Sequence, residues 1–270
     1  MPELPEVETT LHGIEPHIIQ QTVASVEIRH PHLRWPIPKD LLKLTGQPLL
    51  NLSRRNKYLL FTFPTGTMIL HLGMSGRLRV LSEPSTPQKH DHVDIHFANH
   101  YFLRFTDPRR FGALLWTTED PLTHPLLANI GPEPLTAAFN AAYLARRAKG
   151  RTLAVKSFIM DGKVVAGVGN IYATEALFAA GIHPERSAGK VTLAEFETLV
   201  PIVKRILREA IKQGGTTLKD FTQSDGSPGY FSIQLNVYGK AGKPCSKCGT
   251  PLSSIRLGQR GTVFCSTCQK

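Results

Sequence analysis

The pattern of apolar residues divides the chain into a β-rich first half and a helical second half. Apolar runs at 58–63 and 68–72 flank Pro64-Thr65-Gly66-Thr67, a turn signal that predicts a β-hairpin. Residues 92–97 alternate with period two, and a turn at 98–100 leads into another apolar run at 101–105. Several strands at this spacing favour a β-sandwich or barrel.

Helical periodicity occurs at the N-terminus and again beyond the middle of the chain. The predicted helices cover residues 5–18, 136–148, 171–180 and 193–213. The last one follows Thr192-x-x-Glu195, which is a capping box. Prolines at 121, 125, 132 and 134 mark a linker between the β-rich and helical parts. The fold class is therefore multi-domain α+β.

The four cysteines form a third element at the C-terminus. They lie only at Cys245, Cys248, Cys265 and Cys268, in the pattern C-x2-C-x16-C-x2-C. This spacing is typical of a closed, structural zinc site, whereas two disulfides are the alternative. Residues 253–257 and 262–264 read as two short strands, so the sequence predicts a β-hairpin finger with Arg260 at its tip.

Composition and charge narrow the class of partner. The 270 residues are 41% hydrophobic, and 32 Lys+Arg against 21 Asp+Glu give a net charge of +11. Such a surplus favours binding to a polyanion. A membrane surface would require a basic amphipathic helix or a polybasic cluster, but the cations here are scattered, so we expect nucleic acid. The absence of a membrane-length apolar run and of a secretory signal pattern predicts a cytoplasmic protein.

Pro2 and Glu3 are candidates for covalent chemistry. Removal of Met1 would give Pro2 a secondary amine, and an α-amino group titrates near ~7.7–8.0, so part of it is nucleophilic at neutral pH. Glu3 could supply a proton to a leaving group or to a sugar oxygen. The structural alternative is that these residues only begin a helix, which prolines and acids also favour.

Other candidate residues lie on turns. Lys57 follows two arginines at the entry to a strand and could clamp phosphate, although a solvated surface is the simpler interpretation. Met74 and the pair Arg109 and Phe111 occupy tight turns, either as loop anchors or as wedges that enter a duplex. Residues 167–172 open a helix and could either cradle a phosphate or form a tight turn between packed helices. A second metal at His90, His92, His96 and His100 is not expected, because alternation places these rings on both faces of a strand.

Six motifs in one order extend from Met1 to Cys268. They are Met-Pro-Glu-Leu-Pro-Glu-Val-Glu-Thr, Arg-Arg-Asn-Lys-Tyr, Leu-Gly-Met-Ser-Gly, Asp-Pro-Arg-Arg-Phe-Gly, Gly-Val-Gly-Asn-Ile-Tyr-Ala and the four-cysteine finger. Together they resemble the bacterial formamidopyrimidine-DNA glycosylases, which act on 8-oxoguanine and are AP lyases. The resemblance implies an N-terminal β-sandwich with flanking helices over 2–131, a helix-two-turn-helix domain over 135–225 and a zinc finger over 236–270.

The resemblance also implies a role for each candidate residue. Pro2 would be the nucleophile at C1′ and Glu3 the proton donor, while Lys57 would serve β-elimination and Arg260 δ-elimination. Residues that fill the gap left by the extruded nucleotide would be Met74, Arg109 and Phe111. Residues that contact DNA would be His90, Arg151 and Asn170. A loop over 223–230 would cover the flipped base.

The implied function is base-excision repair of oxidised purines, with one structural Zn²⁺ and damaged double-stranded DNA as partner. We expect a nucleoid-associated bacterial monomer that needs no small-molecule cofactor. Two alternatives remain open: an endonuclease VIII-like enzyme for oxidised pyrimidines, and a non-catalytic damaged-DNA-binding protein. The second alternative has no use for an intact Pro2, Glu3 and Lys57.

Overall fold

The computed structural model describes residues 1–215 and 235–270. The chain separates into two compact units. The N-terminal unit contains residues 1–129 and 211–215, and the C-terminal unit contains residues 130–210 and 235–270. The predicted cap loop at 223–230 lies outside the described residues. No described helix is both long enough and apolar enough to cross a membrane.

Two four-stranded antiparallel sheets form the N-terminal unit. The first has the order β1-β6-β7-β5, with strands Val23–Ile28, Asp91–Phe97, Phe102–Thr106 and Arg77–Leu81. The second has the order β2-β3-β4-β8, with strands Asn51–Arg55, Tyr58–Phe63, Gly66–His71 and Ala113–Thr117. Apolar side chains of both sheets and of the helix α1 (Leu4–Ile18) form one buried cluster. The predicted β-sandwich with a flanking helix is therefore confirmed.

Both faces of strand β6 are buried, including the face that carries polar side chains. Val93, Ile95 and Phe97 enter the core, as the period-two pattern predicts. On the opposite face, Asp94 is only 1% exposed. This carboxylate can be buried because Arg104 and Arg29 each donate a hydrogen bond to it at 2.7 Å. Burial alone would raise the pKa of Asp94, but these hydrogen bonds outweigh burial and hold the pKa below its usual value.

The C-terminal unit contains the remaining α-helices, except for the last two residues of α5, and the finger hairpin. Its elements are α2 (Ala141–Ala148), α3 (Val155–Met160), α4 (Asn170–Ala180), α5 (Leu193–Lys212), β9 (Ser253–Leu257) and β10 (Arg260–Phe264). Helix α2 begins at Ala141, later than the predicted residue 136, because Asn140 accepts a hydrogen bond from the Tyr143 N–H and caps the helix there. The capping box before α5 is confirmed: the Glu195 N–H donates to Thr192 Oγ1, and the Thr192 N–H donates to Glu195 Oε2.

Candidate active site and nucleic-acid interface

The N-terminal end of α1 holds Pro2 and Glu3. Both residues are buried, and Glu3 is the N-cap of the helix, with 2% exposure. The Glu3 N–H donates to Glu6 Oε2 at 2.9 Å, and Glu6 is itself fully buried. This reciprocal capping box fixes the backbone that follows Pro2. The structure therefore places the two predicted catalytic groups on a rigid helix terminus.

Lys57 lies in the two-residue turn between β2 and β3. Arg55 pairs with Tyr58 across this turn, and Asn56 has a positive φ of 58°, which an asparagine tolerates better than most residues. The turn therefore presents Lys57 at the end of the β2–β3 hairpin.

His71, at the end of β4, is a residue that the sequence interpretation missed. Burial, together with the positive charges of Lys57 and Arg34, lowers the pKa of His71 to about 4. Its Nδ1 accepts a hydrogen bond from the Gly73 N–H at 3.0 Å. The ring is therefore neutral at physiological pH, with its proton on Nε2 as a donor. The sequence alone could not predict this lowered pKa, because it depends on burial and on the positions of Lys57 and Arg34 in the fold.

Asp107 joins the two turns that carry the predicted wedge residues. Ser75 Oγ donates to Asp107 Oδ1 at 2.7 Å, and the Gly112 N–H donates to Asp107 Oδ2 at 2.7 Å. The Arg109 N–H in turn donates to Ser75 Oγ at 3.2 Å. A Cβ on Gly73 would overlap the backbone of the second turn, so the first turn requires glycine there. The two turns therefore form one assembly around a buried carboxylate.

The predicted wedge side chains extend from this assembly. Phe111 is 45% exposed, Met74 is partly exposed and Arg109 is exposed. The Arg109 guanidinium lies 5.1 Å from the centroid of the Phe111 ring, as in a cation–π contact. His90 is partly buried beside the same assembly, and its carbonyl accepts from the Asp107 N–H at 3.0 Å. The structure thus brings Met74, His90, Arg109 and Phe111 into one neighbourhood.

Replacing Asp107 by Ala is expected to weaken both stability and DNA binding. The change leaves the buried Gly112 N–H without its acceptor, which costs about 1–3 kcal/mol for each unsatisfied group. We expect the free energy of unfolding to fall by about 2–4 kcal/mol and the Kd for a damaged duplex to rise about 10-fold. Denaturant titration and fluorescence anisotropy measure the two quantities. Asp40→Ala, at a solvent-exposed carboxylate that pairs with Lys43, is the control. Equal values for the two variants would contradict the role of Asp107.

A buried lysine connects the N-terminus of α4 to the finger. Lys156 is 1% exposed, and its Nζ donates to Asn170 Oδ1 and to Thr262 Oγ1, both at 2.5 Å. Asn170 Nδ2 donates to the Gly261 carbonyl at 3.2 Å. The predicted DNA contact Asn170 is thereby held by two elements of the C-terminal unit. Arg260, at the start of β10, is exposed beside this network.

Lys156→Met is expected to lower DNA affinity more than stability. Methionine keeps the apolar stem and removes the cost of burying a charge, which offsets part of the cost of leaving Asn170 Oδ1 and Thr262 Oγ1 without this donor. Asn170 nevertheless loses the donor that orients its amide, so we expect the Kd for damaged duplex to rise about 10-fold, equivalent to the loss of one charge-assisted hydrogen bond. Anisotropy titrations of this variant and of Lys190→Met, at an exposed lysine of the same unit, measure the effect. A Kd equal to that of the control would show that Lys156 does not orient Asn170 for DNA binding.

The glycine turn before α4 is buried. Gly167 has a positive φ of 76°, and residues 164–169 are all buried, whereas Asn170 is partly exposed. This arrangement favours the tight turn between packed helices over an open phosphate cradle. Arg151 is exposed in the chain between α2 and α3.

The four cysteines fit a zinc ion. Their Sγ atoms all lie within 4.8 Å of one another. Cys245 and Cys268 are 4.0 Å apart and Cys248 and Cys265 are 3.5 Å apart, close to the edge of about 3.8 Å that a tetrahedron of Zn–S bonds of about 2.3 Å requires. The cysteines, all thiol donors with no open position, are the expected ligands of one structural Zn²⁺.

One other group of potential metal ligands occurs among the described residues. It consists of Glu27, Asp94 and His96. Arg104 and Arg29 occupy the oxygens of Asp94, so the local chemistry is that of an ion-pair network.

Three family models match successive parts of the chain. They are the formamidopyrimidine-DNA glycosylase N-terminal domain over residues 1–114, the H2TH domain of the same enzyme over 130–222, and the zinc finger found in FPG and IleRS over 242–270. The formamidopyrimidine-DNA glycosylase of Photobacterium damsela subsp. piscicida is 56% identical over 270 residues and is covered in full, as is this chain.

Solved structures of Lactococcus lactis Fpg show the same fold. The G226P mutant bound to a Fapy-dG-containing DNA superposes with a TM-score of 0.92 at 35% identity, over 100% of both chains. The wild-type protein bound to an oxidised-pyrimidine-containing DNA gives a TM-score of 0.90 at 36% identity, again over 100% of both chains. The order of family domains, the full-length relatives and the shared fold agree, and this chain belongs to the formamidopyrimidine-DNA glycosylase family.

Proposed function

We propose that this protein is a base-excision-repair DNA glycosylase and AP lyase that removes oxidised purines from duplex DNA through a Schiff base at Pro2. The observation that carries this proposal is the N-terminal Pro2-Glu3 pair at the cap of α1, within a chain that matches the family over its whole length. Membership of the family makes the protein a DNA-binding repair glycosylase, and the positions of its side chains suggest how the chemistry is divided.

The reaction begins with an extruded nucleotide. Chemistry at C1′ requires the nucleotide to leave the stack, at a cost of a few kcal/mol. Insertion of Met74 and Phe111 into the gap, with Arg109 beside them, would recover part of this cost. The assembly held by Asp107 supports this role, because a wedge that is already ordered loses little conformational entropy on binding.

The Pro2 nitrogen then attacks C1′, the glycosidic bond breaks with its electron pair leaving on the base, and the proton that the Pro2 nitrogen loses passes to the base. Glu3 protonates the sugar ring oxygen, so that the ring opens and the nitrogen and C1′ form an iminium ion. Removal of a C2′ proton sends electrons into the iminium and expels the 3′ phosphate, which is β-elimination. Lys57 would hold the phosphate on that side. Arg260 would assist the second, δ elimination, which releases the 5′ phosphate.

Phosphate contacts by His90, Arg151 and Asn170 would orient the duplex. The same proposal includes the domain boundaries 2–131, 135–225 and 236–270. It also includes a monomeric state, independence from small-molecule cofactors and a nucleoid-associated cytoplasmic location. One bound lesion requires only one copy of the protein. The zinc ion is structural and takes part in no chemical step.

Borohydride trapping tests this function directly. The purified protein is mixed with a duplex that carries one 8-oxoguanine opposite cytosine, and a matched duplex carries an oxidised pyrimidine. A reduced adduct that maps to Pro2 is expected with the 8-oxoguanine duplex, together with a larger kcat/KM than with the pyrimidine duplex. A higher kcat/KM for the pyrimidine would favour the endonuclease VIII-like alternative. Tight binding without turnover on either duplex, with a free Pro2 amine, would favour the binding-only alternative.

A further inference from the structure

Arg54 connects α1, the helix that follows the Pro2-Glu3 pair, to the turn that carries Lys57. Its Nε donates to Glu8 Oε2 in α1, and its Nη1 donates to the carbonyl of Asn56 at 2.9 Å. The Arg54 side chain is 11% exposed and that of Glu8 is 22% exposed, so the ion pair is largely shielded from solvent. One guanidinium therefore connects this turn to Glu8, which lies 46 positions from Arg54 in the sequence.

The hydrogen bond to Asn56 acts on the direction of Lys57. The Asn56 carbonyl belongs to the same planar peptide unit as the Lys57 nitrogen. A donor that fixes this carbonyl therefore limits rotation of the peptide plane, and with it the direction in which Lys57 leaves the backbone. The positive φ of Asn56 makes the turn less common for a residue with a side chain, so the extra hydrogen bond also stabilises this conformation.

The ion pair to Glu8 fixes the other end of the bridge. Glu8 lies in the same helix whose N-cap is Glu3, and a helix transmits position along its axis because its backbone hydrogen bonds are continuous. A guanidinium suits this bridge better than an ammonium, because its planar donors can bind two acceptors in fixed directions.

We propose that Arg54 is a positioning residue that holds Lys57 in register with the Pro2 amine during the elimination step. The inference rests on the proposed function, because it assigns Arg54 a task in that reaction. Misplacement of a catalytic group by about 1 Å can reduce a rate by about 100-fold. Arg54 itself touches no reacting atom in this proposal.

The test separates rate from folding. Arg54→Met and Arg54→Lys are compared with the wild type in single-turnover cleavage of a duplex with a preformed abasic site, and the amplitude of borohydride trapping gives the active fraction. We expect the cleavage rate constant per active molecule to fall about 10- to 100-fold in both variants, with duplex Kd changed less than about 3-fold. Lysine is expected to rescue little, because it cannot bind Glu8 and Asn56 in the same planar geometry.

Arg186→Met is the matched control. Arg186 Nη2 pairs with Glu195 Oε1 at 2.5 Å in the C-terminal unit, and the two side chains are 24% and 33% exposed. This variant loses a comparable ion pair and should keep the wild-type rate constant. A purely structural role for Arg54 would lower the active fraction or the melting temperature while leaving the rate constant per active molecule unchanged, and that result would overturn the inference. Absence of trapping and cleavage in the wild type would instead refute the proposed function.

Discussion

Acetylation of the Pro2 nitrogen is expected to reduce strand cleavage at an abasic site by at least about 1000-fold, while the Kd for the same duplex changes by less than about 3-fold. In an amide the nitrogen lone pair is delocalised into the carbonyl, so the nitrogen can no longer attack C1′. DNA contacts proposed for Met74, Arg109 and Asn170 lie elsewhere on the chain and need no free amine. The expected result is therefore a protein that binds DNA but does not cleave it.

Two N-terminal variants sharpen this test. A form that retains Met1 also carries Pro2 as an amide, and we expect it to be as inactive as the acetylated protein. Pro2→Gly supplies a primary amine after removal of Met1 and should retain weak lyase activity with borohydride trapping. Mass spectrometry of the intact protein establishes the N-terminus of each preparation before cleavage is measured. Cleavage at the wild-type rate by a fully acetylated preparation would exclude the amine mechanism.

The central strands of both sheets could be predicted from the sequence, but the edge strands could not. Strands β3, β4, β6 and β7 carry dense or alternating apolar residues because they are paired on both sides. The missed strands β1, β2, β5 and β8 are the four edge strands of these two sheets of the N-terminal unit. Edge strands carry more polar residues, as in Arg77–Leu81, and their extended conformation depends on pairing with a neighbour that the local sequence does not specify.

The same distinction applies to the candidate site. Motifs located the turns with Met74 and Phe111, because glycine and proline mark turns locally. The roles of Lys156 and Arg54 could not be predicted, since each depends on a polar partner far along the chain: Thr262 lies 106 positions from Lys156. Polar residues in long-range contacts leave no periodic signal. These connections nevertheless determine how rigidly the predicted site residues are held.

Loss of zinc is expected to have a large effect on DNA binding because the finger is built into the C-terminal unit. Its apolar cluster includes Phe178 of α4 together with Val237, Leu252 and Cys265. Polar contacts join the same surfaces: Lys247 Nζ donates to the Phe178 carbonyl at 3.1 Å, and Gln269 Nε2 donates to the Ile182 carbonyl at 2.9 Å. An unfolded finger would therefore release Arg260. It would also remove the Gly261 carbonyl that accepts from Asn170 and the Thr262 hydroxyl that accepts from Lys156.

Cys265→Ser tests this dependence at a fully buried ligand position, with Ser266→Ala, at the adjacent exposed residue, as the control. We expect less than one zinc ion per protein and a rise of at least about 100-fold in the Kd for damaged duplex, since structural zinc supplies the folding free energy of such fingers and several phosphate contacts depend on this one.

The N-terminal unit has its own buried core, so its unfolding transition should remain. Zinc content, anisotropy titration and thermal unfolding give the three quantities. A zinc-free variant that binds duplex as tightly as the control would show that the finger contributes nothing to the interface, whereas loss of every cooperative transition would show that the N-terminal unit depends on the metal.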